Sequence, residues 1–286
     1  MVKKAVIPAA GLGTKFLPAT KAQPKEMLPV IDKPAIQYVV EEAVDAGIDD
    51  ILIIIGKGKR AIEDHFDRSP ELELYLKQNK MRQAYNEVRH IGDMANIHFI
   101  RQKEVNGLGG AILYARQHIG DEPFAVLLGD TIIDSVIPVT QQLIDIYEQY
   151  KQTVIAVEEV PDERVENFGI IEGKQVGETI WRVSRLIEKP APGKSSSNLA
   201  IAGRYILTPE IFRSIEKTVP DENNDIQLTD ALHLLLKREM IYSYKIAGKR
   251  FDLGSKFDFL RTNVELALRR KDFGREFKSY LKSLVT

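Results

Sequence analysis

The chain reads as an α/β fold: a doubly wound, mostly parallel sheet with an antiparallel or mixed portion in its second half. Three observations carry that expectation. The runs Ala5–Pro8, Ile51–Ile55 and Phe124–Leu128 are short, apolar and without alternation, the pattern of strands buried on both faces of a parallel sheet. Segments of helical periodicity lie between them, and such alternation implies crossover connections. From Thr153 onward, strand-like runs are separated by glycine-containing turns, as in antiparallel pairing.

In chain order, Ala5–Pro8 leads into a turn of small residues, Pro8-Ala-Ala-Gly-Leu-Gly-Thr14. The segment Thr14–Asp32 is a loop, because Pro18, Pro24 and Pro29 break helices. From Pro34, residues Ile36, Val39, Val40, Ala43 and Val44 form one helical stripe that Gly47 stops. After strand Ile51–Ile55, the polar stretch Ser69–Asn96 is an inserted helical excursion with Leu72, Leu74, Leu76, Met81 and Val88 as its apolar positions. Strand Ile97–Arg101, helix Leu108–His118, strand Phe124–Leu128 and helix Val139–Tyr150 follow. Strands Thr153–Val160, Gly169–Glu172 and Trp181–Glu188 build the mixed region, and Pro190–Ser197 reads as a flexible surface loop. Strand Leu199–Leu207, helix Asp230–Arg238, strand Ile241–Ile246 and two terminal helices complete the order.

At 286 residues the chain is long enough for two domains at roughly 150 residues each, although α/β chains of this size also form one. The 40 Lys+Arg balance 41 Asp+Glu, which argues against nucleic-acid binding through bulk positive charge. With no cysteine, thiolate nucleophiles, disulfides and Cys-ligated metals are excluded. The apolar start is broken at Pro8, and no run approaches the ~18 residues that span a bilayer, so a cytoplasmic protein without membrane insertion is expected.

Two readings fit the Pro8–Thr14 turn: a bare strand-to-loop connection, or backbone amides held open for a phosphate. It is not a Walker A loop, and Phe16 stands where a dinucleotide fingerprint needs its third glycine. The loop that follows carries Lys15, Lys21 and Lys25, with Lys33 just beyond it, either a solvated basic surface or a cradle for a triphosphate. Asp130, just past a buried strand, and Asp252 suit a hard cation or serve as turn and cap aspartates. His65, His90, His98, His118 and His233 show no metal-binding spacing and read as structural or surface residues, and Trp181 reads as core.

The series Ile7-Pro-Ala-Ala-Gly-Leu-Gly-Thr14, Phe16–Pro29, Asp32–Tyr38, Asp64–Asp67, Ile100–Glu104, Leu127–Asp130, Ile187–Pro190, Gly203–Tyr205, Ile226–Ala231 and Phe251–Ser255 resembles the bacterial UTP–glucose-1-phosphate uridylyltransferases (UDP-glucose pyrophosphorylases) over nearly the whole chain. The resemblance implies a Rossmann-like nucleotide-diphospho-sugar transferase fold. It implies a single domain with a nucleotide half near 1–150, a sugar-phosphate half near 151–250 and a C-terminal metal motif with helices over 251–286. It also implies Mg²⁺-dependent attack of glucose 1-phosphate on the α-phosphorus of UTP, giving UDP-glucose and pyrophosphate. Carried over by residue, Ala9, Ala10, Gly11 and Gly13 contact UTP through backbone amides, and Gln102 and Gly107 receive the uracil. Lys25 and Lys15 serve the reacting phosphates, while Asp130 and Asp252 hold Mg²⁺. Gly169, Glu188, Lys189 and Gly203 take the sugar phosphate. A homodimer or larger homo-oligomer is implied, with Leu260, Val264, Leu268 and Phe277 offering either a contact face or internal packing.

Three positions depart from the family pattern: Lys15 for arginine, Thr131 where an acidic residue is frequent, and Gly110 where histidine often follows. Lysine keeps the charge but loses the planar fork. These departures leave two other readings open, a slow or regulatory sugar-nucleotide-binding paralogue and a pyrophosphorylase for another nucleotide.

Overall fold

The computed structural model describes residues 1–284; positions 285 and 286 of the expected C-terminal segment lie outside the described residues. The first half runs β1 (Lys4–Ala9), three 3₁₀ turns between Thr14 and Met27, a small hairpin of β2 (Pro29–Val30) and β3 (Lys33–Pro34), α1 (Ala35–Asp45), β4 (Asp50–Ile55), α2 (Arg60–Phe66), α3 (Pro70–Gln78), α4 (Arg82–Asp93), β5 (Asn96–Arg101), α5 (Gly107–Leu113), α6 (Arg116–Ile119), β6 (Phe124–Leu127), β7 (Thr131–Asp134) and α7 (Val139–Tyr150). The second half adds β8 (Thr153–Glu159), β9 (Gly169–Gln175), β10 (Ile180–Glu188), β11 (Leu199–Leu207), α8 (Glu210–Lys217), α9 (Leu228–Leu235), β12 (Ile241–Lys245), β13 (Lys249–Asp252), α10 (Lys256–Arg269) and α11 (Gly274–Leu284).

Nine strands form one mixed sheet in the order β5-β4-β1-β6-β11-β8-β12-β10-β9. The first four are mutually parallel. Strand β11 pairs antiparallel with both β6 and β8 and so joins the two halves. Beyond it β8 and β12 are parallel, and β10 is antiparallel to β12 and β9.

The missing alternation in the first strands has a direct cause. Ile51, Ile53 and Ile55 face a core shared with α1, α2 and α7, whereas Leu52 and Ile54 face a second core shared with α5, α6, α8 and α9. Both faces are therefore dry, and each buried aliphatic side chain contributes roughly 1.5–3 kcal/mol. A third cluster, Val30, Ile132, Phe251 and Leu253 with Phe259, seats α10 against the two-stranded β7–β13 ribbon.

Three expectations change. The helix expected over Leu108–His118 is two short helices, because the amides of Tyr114 and Ala115 bond only three residues back, at 3.1 and 2.9 Å. The helix expected from Asp230 starts at Leu228, which puts Thr229 in its first turn. The Pro190–Ser197 loop is tied down, since Glu172 accepts the Ser196 amide at 2.8 Å and its hydroxyl at 3.0 Å. Trp181 packs, partly buried, against the second core as expected. Among the described residues no helix is long and apolar enough to cross a membrane.

Candidate functional site

The four parallel strands end at Ala9, Ile55, Arg101 and Leu127, and the loops leaving them gather at the carboxyl edge of the sheet, where open α/β sheets bind ligands. Lys25 reaches from the 3₁₀ loop to Asp130, with Nζ 2.5 Å from Oδ2. Burial alone would push the Lys25 ammonium down, but the carboxylates of Asp130 and Glu26 outweigh it and hold it above its ordinary value. Burial likewise opposes ionisation of Asp130, and Lys25 overcomes that to hold the carboxyl below its ordinary value. Both groups are thus charged at neutral pH.

Beneath them lies a pair the sequence reading missed. Glu26, 1% exposed, accepts from Lys59 Nζ at 2.6 Å, and Lys59 is itself 7% exposed. Burial raises the Glu26 carboxyl and lowers the Lys59 ammonium, each opposed by its partner. Lys59 arrives on Gly56-Lys-Gly-Lys59, a glycine-bearing turn directly after a buried strand. That pattern, the same as at Gly11–Gly13, was the available signal.

Two cavities of about 330 and 340 Å³ adjoin here and share Leu108, Leu128 and Asp130. The first is lined by Ala10, Gly11, Lys25, Gln102 and Gly107 among the expected nucleotide residues. Ala9 and Gly13 line neither cavity. Ala9 is buried at the end of β1, and the Gly13 carbonyl accepts the Thr20 hydroxyl at 2.7 Å. Gln102 is 3% exposed and its amide nitrogen donates to Asn106 Oδ1 at 3.0 Å. The Asn106 side chain occupies the space that any side chain at Gly110 would need. Gly107 sits at φ +84° with the Ile226 backbone 2.8 Å from where a Cβ would lie, so the loop closes against 225–226 only with glycine.

The second cavity is lined by Lys15, Gly169, Glu188, Lys189, Gly203 and Asp252. Glu188 accepts the Thr229 hydroxyl at 2.6 Å, so Thr229 orients the carboxylate. Lys189 holds a left-handed φ of 41° where β10 ends, a conformation that costs a non-glycine residue about 1–2 kcal/mol. Asp252 lies opposite Thr131 in the β7–β13 register, and the Leu253 amide donates to the Asp130 carbonyl at 3.0 Å, which sets the two aspartate-bearing segments side by side. Asp252 is fixed by the Gly254 amide at 2.7 Å and Arg250 at 3.4 Å. Two carboxylates with hard oxygen donors in one cavity fit a small divalent cation such as Mg²⁺.

A second buried brace also escaped the sequence reading. Arg204, 1% exposed, pairs with Glu42 at 2.7 Å and donates to the carbonyls of Leu128 at 3.3 Å and Thr131 at 2.8 Å, clamping the segment that carries Asp130. A larger cavity, about 680 Å³ under the Pro190–Ser197 loop, contains none of the expected site residues. Nor do the histidines stay scattered: His98 and His118 come together beside Asp50.

Comparison with known proteins places this geometry in context. The profile of the nucleotidyl transferase family matches residues 4–268. The chain is 50% identical over 283 residues to a UTP–glucose-1-phosphate uridylyltransferase of Staphylococcus epidermidis, covering 99% of this chain and 98% of that one. It is 49% identical over 284 residues to the protein of the same name from Bacillus subtilis, covering 99% and 97%. Its fold is similar to UTP-bound UGPase from Acinetobacter baumannii, with TM-score 0.92 and 39% identity over 99% of this chain and 100% of that one.

Proposed function

This chain belongs to the nucleotidyl transferase family, among the UTP–glucose-1-phosphate uridylyltransferases, and we propose that it joins UTP and glucose 1-phosphate into UDP-glucose across the two adjoining cavities. One observation carries the assignment of sites: Asp130, paired with Lys25, lines both cavities at their junction. A phosphate oxygen of glucose 1-phosphate forms a bond to the α-phosphorus of UTP as the bond to the β-phosphate oxygen breaks, and pyrophosphate leaves with the electron pair. The attacking oxygen is already anionic, so no protein base or nucleophile is required. The difficulty is repulsion between two polyanions, and the site is built to offset it.

Backbone amides of Ala10 and Gly11 receive the triphosphate, and Gln102 with Gly107 receives the uracil, the Gln102 amide being turned by Asn106. Lys25 and Lys15 spread positive charge over the reacting phosphates. On the other side Glu188, oriented by Thr229, accepts from glucose hydroxyls, Gly169 and Gly203 leave room for the sugar, and Lys189 pairs with its phosphate. Mg²⁺, held by Asp130 and Asp252, supplies charge neutralisation to the transition state when bound. Exposed Phe257 and Leu260 on α10 and Tyr280 on α11 support a homodimer or larger assembly.

The test is product analysis after incubation with UTP, glucose 1-phosphate and Mg²⁺. UDP-glucose and pyrophosphate are expected in equal amounts. Absence of both at saturating substrates would overturn the reading.

A further inference from the structure

At the opposite edge of the sheet from the reaction, three side chains from separate segments converge. Asp50 opens β4, His98 is the third residue of β5, and His118 lies near the end of α6. In the parallel register Asp50 pairs with Asn96, so His98, two residues on, projects from the same face of the sheet. His118 Nε2 lies 2.7 Å from Asp50 Oδ1, His98 Nε2 lies 3.8 Å from the same oxygen, and the two rings are 5.0 Å apart. One ligand atom from each residue falls within 4.8 Å of the others.

We propose that Asp50, His98 and His118 form a binding site for a borderline divalent transition-metal ion of the Zn²⁺, Co²⁺ or Ni²⁺ class, separate from the catalytic carboxylates. Two imidazoles and one carboxylate are the donor set such ions prefer, whereas Mg²⁺ favours oxygen alone. Ligands around a tetrahedral ion with bonds of about 2.1 Å stand roughly 3.4 Å apart. The His98 side chain is 54% exposed, so a small change of its torsions meets no packed core and closes the remaining distance. The neighbouring cation does not already neutralise the carboxylate. Lys4, paired with Asp50 in register, spends its ammonium on Glu122 at 2.7 Å and on the carbonyls of His118 and Ile119 at 3.1 and 3.4 Å.

Three protein ligands leave at least one position for water, so this is an open, exchangeable site and not a closed structural one. A bound ion ties β4, β5 and α6 together. It therefore stabilises the fold by an amount that grows with the logarithm of the free ion concentration once that exceeds Kd.

The experiment is calorimetric titration of the full chain with Zn²⁺ in excess Mg²⁺, which keeps the catalytic carboxylates filled, repeated on His98→Ala, His118→Ala and the paired variant. The wild type is expected to bind one more Zn²⁺ than the paired variant and to show a larger rise in Tm with Zn²⁺. Co²⁺-loaded wild type is expected to show visible d–d absorption that each single variant weakens. Pyrophosphate release with Mg²⁺ stays unchanged in all variants. Equal stoichiometry and equal Zn²⁺-dependent Tm shifts in wild type and paired variant would overturn the site. If the paired variant does not fold, the exposed His98→Ala change alone decides: undiminished Zn²⁺ binding and Co²⁺ absorption refute the proposal.

Discussion

Under the proposed function Asp130 has two tasks that pull against each other, pairing with Lys25 and offering oxygen to the Mg²⁺ it would hold with Asp252. Lys25 is held above its ordinary 10.5 and Asp130 below its ordinary 3.8, so the pair's contribution to stability is complete between those values. It is lost in acid as pH falls through a point below 3.8, and in base as pH rises through a point above 10.5. The Tm difference between wild type and Asp130→Asn without metal is therefore expected to stay flat from about pH 5 to 9 and to shrink in stronger acid; a difference that vanishes by neutrality would contradict the pairing. Lys15, with its exposed ammonium, is expected to tolerate Lys15→Arg with equal or higher kcat, since the guanidinium fork adds a second hydrogen bond to phosphate. A large loss would give Lys15 a role that the fork cannot fill. Glu26→Gln keeps an acceptor but leaves the Lys59 ammonium buried without its counter-charge and is expected to cost about 3–5 kcal/mol, whereas Glu26→Leu with Lys59→Met recovers most of that in denaturant unfolding. Lys25, Asp130 and Asp252 stood out by their place at a loop or strand end, but local spacing left each open to a plain turn or surface role, and only the family resemblance gave them tasks. Lys59 and Arg204 did not stand out, because their partners lie 33 and 162 positions away and no local pattern announces a distant carboxylate.

Among the elements, those with unbroken local patterns were read nearly to their ends: Val139–Tyr150 and Leu199–Leu207 match residue for residue. The clearest failure came in the first half of the chain. The helix expected over Leu108–His118 breaks in two, and its N-terminal glycines press against Ile226 from a distant loop. That packing makes a sharp prediction at Gly107. Gly107→Ala must adopt a left-handed backbone at a cost of about 1–2 kcal/mol, and it also meets the Ile226 backbone. Lower Tm together with a raised KM for UTP and little change in KM for glucose 1-phosphate is expected from thermal unfolding and steady-state kinetics. Equal effects on both substrates would detach Gly107 from the nucleotide side.

For the whole molecule, the parallel half and the mixed half were legible, but their junction was not. Nothing local in Leu199–Leu207 says that this strand inserts between β6 and β8, because all nine residues are buried and the run fits any central position. That insertion puts Gly203 and Arg204 beside the Leu128–Asp130 segment, and so joins the cavity proposed for the sugar to the one proposed for the nucleotide. The central claim is that uridylyl transfer occurs at this junction. Pyrophosphate release with glucose 1-phosphate and Mg²⁺, compared for UTP, dTTP, ATP and GTP in wild type and Asp130→Ala, tests it most directly. The account predicts that UTP is the fastest nucleotide and that Asp130→Ala lowers its rate by roughly 10²–10³ or more. Comparable rates with the purine nucleotides, or near-wild-type turnover in Asp130→Ala, would contradict it.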